Sequence, residues 1–235
     1  MPSDQNLVAI TQRVVEIPGY REFRDCLDQQ WAVWLQVLGL VAVPVPNRLA
    51  SPAALLRRLS PQAIILSGGN NLASDVYDGP GREGPIPDAY KERDDTETAL
   101  VEYAVQHQIP LLGCCRGMQF LQVFFGGRLL SLTDASVRHV GAPHEIALAE
   151  STFRAMAGQD ALVVNSFHNY GISASALAQP LQPLAVSLAD RTVEAFVHRT
   201  LPIVGIMWHP ERPNPAAKVD LKLATSLFAS RWPRI

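Results

Sequence analysis

Cysteine is scarce, with three in 235 residues, at positions 26, 114 and 115. An odd number with two of them adjacent cannot make a disulfide framework, and no Cys and His spacing suits a zinc site. Basic runs are equally short. None exceeds two residues and the net charge is −2, which argues against nucleic acid or an anionic membrane as a partner. No apolar stretch reaches the roughly 20 residues needed to span a bilayer, and Met1 to Asn6 is polar with no signal-type segment behind it. A cytoplasmic protein with reduced thiols is the expectation. What the chain does have is 48% hydrophobic residues, enough for the core of one α/β domain over residues 1–235.

Short apolar runs alternate with helical spacing through residue 125, the pattern of a parallel sheet covered on both faces with its site at the carboxyl ends of the strands. Strands are predicted at Leu7 to Thr11, Val41 to Val45, Ala63 to Leu66 and Ile109 to Leu112. Between them, Tyr20 to Leu38 is predicted to be one helix ending at Gly39, Ser51 caps a short helix to Leu59 with Pro52 at its first position, and Arg93-Asp94 precedes a helix to His107. Leu184 to Leu188 and Val193 to Val197 read as an antiparallel hairpin, and Lys218 to Trp232 as the last helix.

The chain is organised around Gly113-Cys114-Cys115-Arg116-Gly117, where a buried strand meets a helix. Glycines two places before and two after Cys115 permit the crowded backbone of a nucleophile elbow, and a thiol at a helix N-terminus is favoured as thiolate. The same glycines could serve only to let a helix pack closely. Far downstream, Ile203 to Met207 runs into Trp208-His209-Pro210-Glu211. In extended backbone residues i and i+2 point the same way, and proline biases the residue before it toward that conformation. His209 and Glu211 are therefore candidates for a base and its orienter, with Cys115 as nucleophile. His168 lacks a carboxylate at short spacing, which favours His209 as the base.

Taken together, Gly113 to Gln119 and Trp208 to Glu211 resemble the class I glutamine amidotransferase-like superfamily, specifically its γ-glutamyl-γ-aminobutyrate hydrolase (peptidase C26) branch. The resemblance extends through Ser67-Gly68-Gly69, Arg93-Asp94, Val164-Asn165-Ser166-Phe167-His168 and Val193-Glu194-Ala195. A narrower likeness, to γ-glutamyl-CDP-amidate hydrolases of capsule phosphoramidate synthesis, is carried by Ile10 to Val14, Arg24 to Trp31, Pro44 to Asn47 and Ile206 to Arg212. The resemblance implies a flavodoxin-like class I glutamine amidotransferase fold: a central, mostly parallel sheet, helices on both faces and a small antiparallel addition. It also implies an oxyanion hole from the backbone N–H groups of Gly69 and Arg116, and a substrate site at Gly68, Gln119, Asn165, Ser166, Phe167 and His168 that holds the glutamyl end.

The chemistry so implied is cleavage of a small γ-glutamyl amide through a glutamyl thioester, with no cofactor and no metal. Its partner is the small-molecule substrate, a homodimer being compatible with the sequence. A glutaminase subunit that passes ammonia to a separate synthase, and a non-catalytic binding protein on the same fold, are the rival readings. His139 and His144, five apart, offer no third ligand in the sequence around them, so metal ligation is not expected there. The irregular stretch Leu72 to Pro87 is expected to flank the mouth of the site. It carries Asp75-Val76-Tyr77 where many relatives have Asp-Val-x-Pro-x-x-Tyr.

Overall fold

A computed structural model describes residues 6–72, 77–78, 86–132 and 139–229. In chain order it begins with β1 (Leu7–Thr11), β2 (Arg13–Ile17), β3 (Glu22–Cys26), α1 (Gln30–Val37), β4 (Val41–Val45), α2 (Pro52–Leu59) and β5 (Ala63–Leu66). Then come β6 (Tyr77–Asp78), α3 (Lys91–His107), β7 (Leu111–Cys114), α4 (Arg116–Phe124) and β8 (Leu129–Ser131). The remainder is β9 (His144–Leu148), α5 (Ser151–Ala157), β10 (Ala161–Val164), β11 (Tyr170–Gly171), β12 (Leu181–Ser187), β13 (Val193–His198), β14 (Ile203–Ile206) and α6 (Ala217–Phe228). Among the described residues, no helix is long and apolar enough to cross a membrane.

The main sheet has the order β10-β9-β12-β13-β14-β7-β5-β1-β4. From β14 to β4 the strands run parallel, and β13, β12, β9 and β10 continue the sheet antiparallel. Side chains alternate across this sheet with period two, and both faces are apolar. Ile65, Leu112, Val204 and Ile206 point to the side that packs Trp31, Trp34, Phe153 and Leu223 of α1, α5 and α6. Ile64, Leu66, Leu111 and Ile203 point to the other, against Leu56, Leu100, Met118 and Leu121 of α2, α3 and α4. Three parallel strands, β5, β7 and β14, end beside one another, so the segments that follow them share one edge.

The single helix predicted from Tyr20 to Leu38 is corrected. Residues 22–26 instead pair antiparallel with β2, and the helix is confined to Gln30–Val37. The turn between the two strands contains Gly19 and Arg21, both at positive φ, and Phe23 is half exposed rather than packed on a helix face. Arg24 pairs with Glu22 on this ribbon, while Asp25 accepts hydrogen bonds from the backbone and side chain of Asn47. Residues 73–76, 79–85 and 230–235, which hold most of the Leu72 to Pro87 stretch and the predicted end of the last helix, lie outside the described residues.

Candidate active site

Cys115 sits between β7 and α4 with φ 51° and ψ −106°, a conformation costing on the order of 1–3 kcal/mol for a residue with a side chain. Its N–H donates to Ile206 O at 2.8 Å and its carbonyl accepts from Gln119 N at 3.0 Å, so both neighbours hold the kink. The flanking glycines solve a different problem. A Cβ on Gly117 would lie 2.2 Å from Leu66 O, and one on Gly113 would lie 2.7 Å from the Gly117 backbone. They allow α4 to rest directly on β5 and β7, and that close approach leaves the strained turn to Cys115 itself. Close packing and the strained turn are therefore one feature here.

His209 follows β14, and its Nδ1 is 2.8 Å from Glu211 Oε1. The expected extended dipeptide is corrected to a turn, in which Arg212 N donates to His209 O at 3.3 Å around Pro210 and Glu211. The turn still projects the carboxylate back onto the ring. Asn165 fixes the histidine backbone at two points, accepting from His209 N at 2.9 Å and donating to His209 O at 2.8 Å. The ring stands next to Cys115, and both line the cavity that also holds Arg116 and Gln119. Burial opposes a charge on the ring, but the Cys115 sulfur and then Glu211 outweigh it, and the pKa rises to about 9. Cys114, directly before it, is sealed in the sheet, and burial pushes its thiol well above the ordinary range.

The loop after β5 completes the arrangement. Gly68 has no room for a side chain: a Cβ there would stand 2.6 Å from His209 Cε1 and 3.4 Å from Cys115 Cβ. Gly69 has φ +82°, which glycine adopts without penalty. The loop is held from behind by Arg93, fully buried, whose guanidinium donates to the carbonyls of Ser67 (2.7 Å), Gly68 (3.1 Å) and Gly69 (2.5 Å). Arg93 Nε donates to Glu97 at 3.0 Å, and Arg116 hydrogen-bonds both Glu97 and Asp94. Burial, with Arg116 adding to it, lowers the Arg93 pKa to about 10. Burial alone would raise the Glu97 carboxyl, yet Arg116 and Arg93 hold it below its ordinary value.

Two cavities meet at His209. One, of about 320 Å³, is lined by Arg13, Asp28, Trp31, Gly68, Gly69, Glu211 and Arg212 among others. Its neighbour, of about 300 Å³, is lined by Gly69, Cys115, Arg116, Gln119, Phe167, His168 and Arg212. The structure thus brings Cys115, His209, Glu211, Gly68, Gly69, Arg116, Gln119, Phe167 and His168 to one place. Asn165 and Ser166 turn inward: the first clamps His209, and the second donates from Oγ to His139 O at 2.6 Å. Arg212 stacks over the Phe167 ring at 4.8 Å.

Sequence reasoning gave Asp94 only a place at a helix N-terminus and did not see Glu97 at all. Arg93 and Glu97 stand four apart on α3, and that spacing is the one signal that could have paired them. Arg13, which lines both cavities, entered the sequence reading only within the Ile10 to Val14 likeness and was given no role of its own.

Known proteins resemble this chain along most of its length. The family model Peptidase C26 matches residues 7–211. A γ-glutamyl-CDP-amidate hydrolase of Campylobacter jejuni is 32% identical over 216 residues, 91% of this chain and 94% of the relative. A γ-glutamyl-γ-aminobutyrate hydrolase of Escherichia coli O157:H7 is 30% identical over 193 residues, 74% and 73% of the two chains. Among solved structures, a glutamine amidotransferase from Thermotoga maritima superposes with a TM-score of 0.62 at 17% identity, covering 97% of this chain and 86% of that one. This last likeness shows the class I glutamine amidotransferase-like fold.

Proposed function

The chain belongs to the peptidase C26 family, and from that we infer that it is a cysteine-dependent hydrolase of a small γ-glutamyl amide. One observation carries the reading: the His209–Glu211 pair stands beside Cys115 at the junction of two cavities, with the cysteine on a strained elbow. The Cys115 thiolate attacks the γ-carbonyl carbon, forming the C–S bond as the carbonyl becomes an oxyanion. That oxyanion lies against the N–H groups of Gly69 and Arg116, donors of a kind worth roughly 10²–10³ in rate each. His209, protonated below about pH 9, gives its proton to the leaving nitrogen as the C–N bond breaks. Water, deprotonated by the same ring, then cleaves the thioester and releases glutamate. Glu211 keeps Nδ1–H pinned so that Nε2 faces the sulfur.

Gly68, Gln119 and Phe167, around the cavities beside Cys115, receive the glutamyl half, while Asn165 and Ser166 brace the site from within. For the other half, Arg13 and Arg212 line both cavities beside His209. Two guanidinium groups suit a leaving group that carries phosphate, and the similarity to the C. jejuni protein spans nearly the whole of both chains. The substrate favoured by these observations is γ-glutamyl-CDP-amidate. Glutamate release is the test, measured over γ-glutamyl-CDP-amidate, γ-glutamyl-γ-aminobutyrate and glutamine. The nucleotide conjugate should give the largest kcat/KM, and preference for γ-glutamyl-γ-aminobutyrate would overturn the assignment of the leaving group. No glutamate from any of them would overturn the hydrolase.

A further inference from the structure

Behind the cavity wall, four side chains from separate segments gather in the interior: His139, His144 at the start of β9, His168, and Glu194 of β13. The expectation that His139 and His144 lack further ligands is corrected, because folding delivers His168 and Glu194 to them. Hydrogen bonding fixes which atoms face inward. His168 Nδ1 lies 3.0 Å from the Tyr170 carbonyl, which can only accept, so Nδ1 bears the proton and Nε2 is a bare lone pair. His139 Nε2 lies 2.7 Å from Asp190 Oδ2, which takes the other ring proton and leaves Nδ1 bare. Glu194 Oε1 shares the single Thr192 hydroxyl proton with Asp190 Oδ1. What remains, His139 Nδ1, His168 Nε2 and Glu194 Oε2, is buried without a hydrogen-bond partner among the described residues, and so are both nitrogens of His144.

The ring nitrogens of His139 and His168 that carry no proton face a carboxylate oxygen that His144 Nε2 approaches only to 3.3 Å, and lone pairs left unsatisfied in the interior are costly. A cation removes the conflict. We propose that this cluster is a metal site, distinct from the hydrolytic centre, holding one divalent transition ion, zinc foremost, on His139 Nδ1, His168 Nε2 and Glu194 Oε2. His144, with Nε2 3.3 Å from Glu194 Oε2, stands beside that oxygen outside the set of three. The three ligand atoms already lie within 4.8 Å of one another. Tetrahedral bonds of roughly 2.1 Å set ligand atoms about 3.4 Å apart, so the longest separation must contract by up to about 1.4 Å. Imidazole and carboxylate suit zinc, and the partners behind them, Asp190 on His139 and the Tyr170 carbonyl on His168, are the carboxylate and carbonyl that orient metal-bound histidines. The ion would be structural. It would join β13 and the segment before β9 to the Phe167–Tyr170 segment, whose Tyr170 carbonyl also accepts from Gln119 at 2.9 Å.

The experiment is metal analysis of the purified full chain, followed by chelator stripping and titration with Zn²⁺. One ion per chain is expected, with the same stoichiometry in Cys115→Ala and a melting temperature that rises on loading. Asp190→Asn, which alters only the outer partner of His139, should weaken zinc binding roughly 10–100-fold, and Glu194→Gln should remove it. If the buried variant does not fold, X-ray absorption of the zinc-loaded wild type decides, with a shell of nitrogen and oxygen only expected. A sulfur in the shell, loss of the ion in Cys115→Ala, or no stoichiometric binding at micromolar free zinc would overturn the site.

Discussion

Replacing Gly68 with alanine adds one methyl group and removes no functional group, so it tests the geometry of the site alone. The methyl carbon would stand 2.6 Å from His209 Cε1, against a carbon–carbon contact distance of about 3.5 Å, an overlap of roughly 0.9 Å. Neither side can retreat cheaply. Arg93 holds the loop carbonyls from below, and Asn165 and Glu211 hold the histidine backbone and ring. The ring must therefore tilt away from the Cys115 sulfur, and a displacement of about 1 Å costs on the order of 10²-fold in rate, or about 2.7 kcal/mol. The assay is kcat/KM for glutamate release, with the rate of Cys115 alkylation by iodoacetamide as a second readout. Both should fall while the circular dichroism spectrum stays unchanged. An alanine variant within threefold of wild type in both would refute the claim that loop, imidazole and sulfur are in mutual contact.

The proton on His209 gives a second test. Its folded pKa of about 9 exceeds the unfolded value of about 6.5, so its contribution to stability is complete below pH 6.5 and is lost as pH rises through about 9. Activity should decline over the same alkaline limb, and in Cys115→Ala the ring titration followed by NMR should move down; an unchanged titration would contradict the pairing. Arg93→Met leaves Glu97 buried with one partner fewer, and urea unfolding should show a loss of about 3–5 kcal/mol together with a lower kcat. A variant as stable as wild type would remove Arg93 as the support of the loop. Cys114→Ala should retain most activity, since its thiol is buried in β7, and a loss as large as that of Cys115→Ala would transfer the nucleophile to position 114.

The parallel half of the sheet was readable because its strands are uniformly apolar and end at strong punctuation: β1, β4 and β5 begin and end where the runs do, and Ser51 caps α2 by accepting from Ala54 N at 3.2 Å. The strand-to-helix turn at Cys115 and the contact between His209 and Glu211 were readable because a turn and an i, i+2 pair are local patterns. Other features are not local. The β2–β3 ribbon was hidden because Phe23, Leu27 and Trp31 happen to recur at helical spacing, and the turn at Gly19 was too weak a signal against it. The Arg93, Glu97, Arg116 and Asp94 network joins two helices, and no spacing within one segment reports a contact between two. The histidine cluster draws on four segments from His139 to Glu194, so its third and fourth members become visible only once β9 and β13 lie in one sheet.

The central claim is that Cys115 carries the glutamyl group between the two halves of the reaction. Rapid acid quench of the enzyme with γ-glutamyl-CDP-amidate, digestion, and fragmentation mass spectrometry of the peptide containing both adjacent cysteines tests it most directly. A transient mass increase of one glutamyl acyl group on Cys115, absent from Cys114 and abolished in Cys115→Ala, is the predicted result. Glutamate release at full rate with no acyl group ever found on Cys115, or with the group on Cys114, would contradict the account.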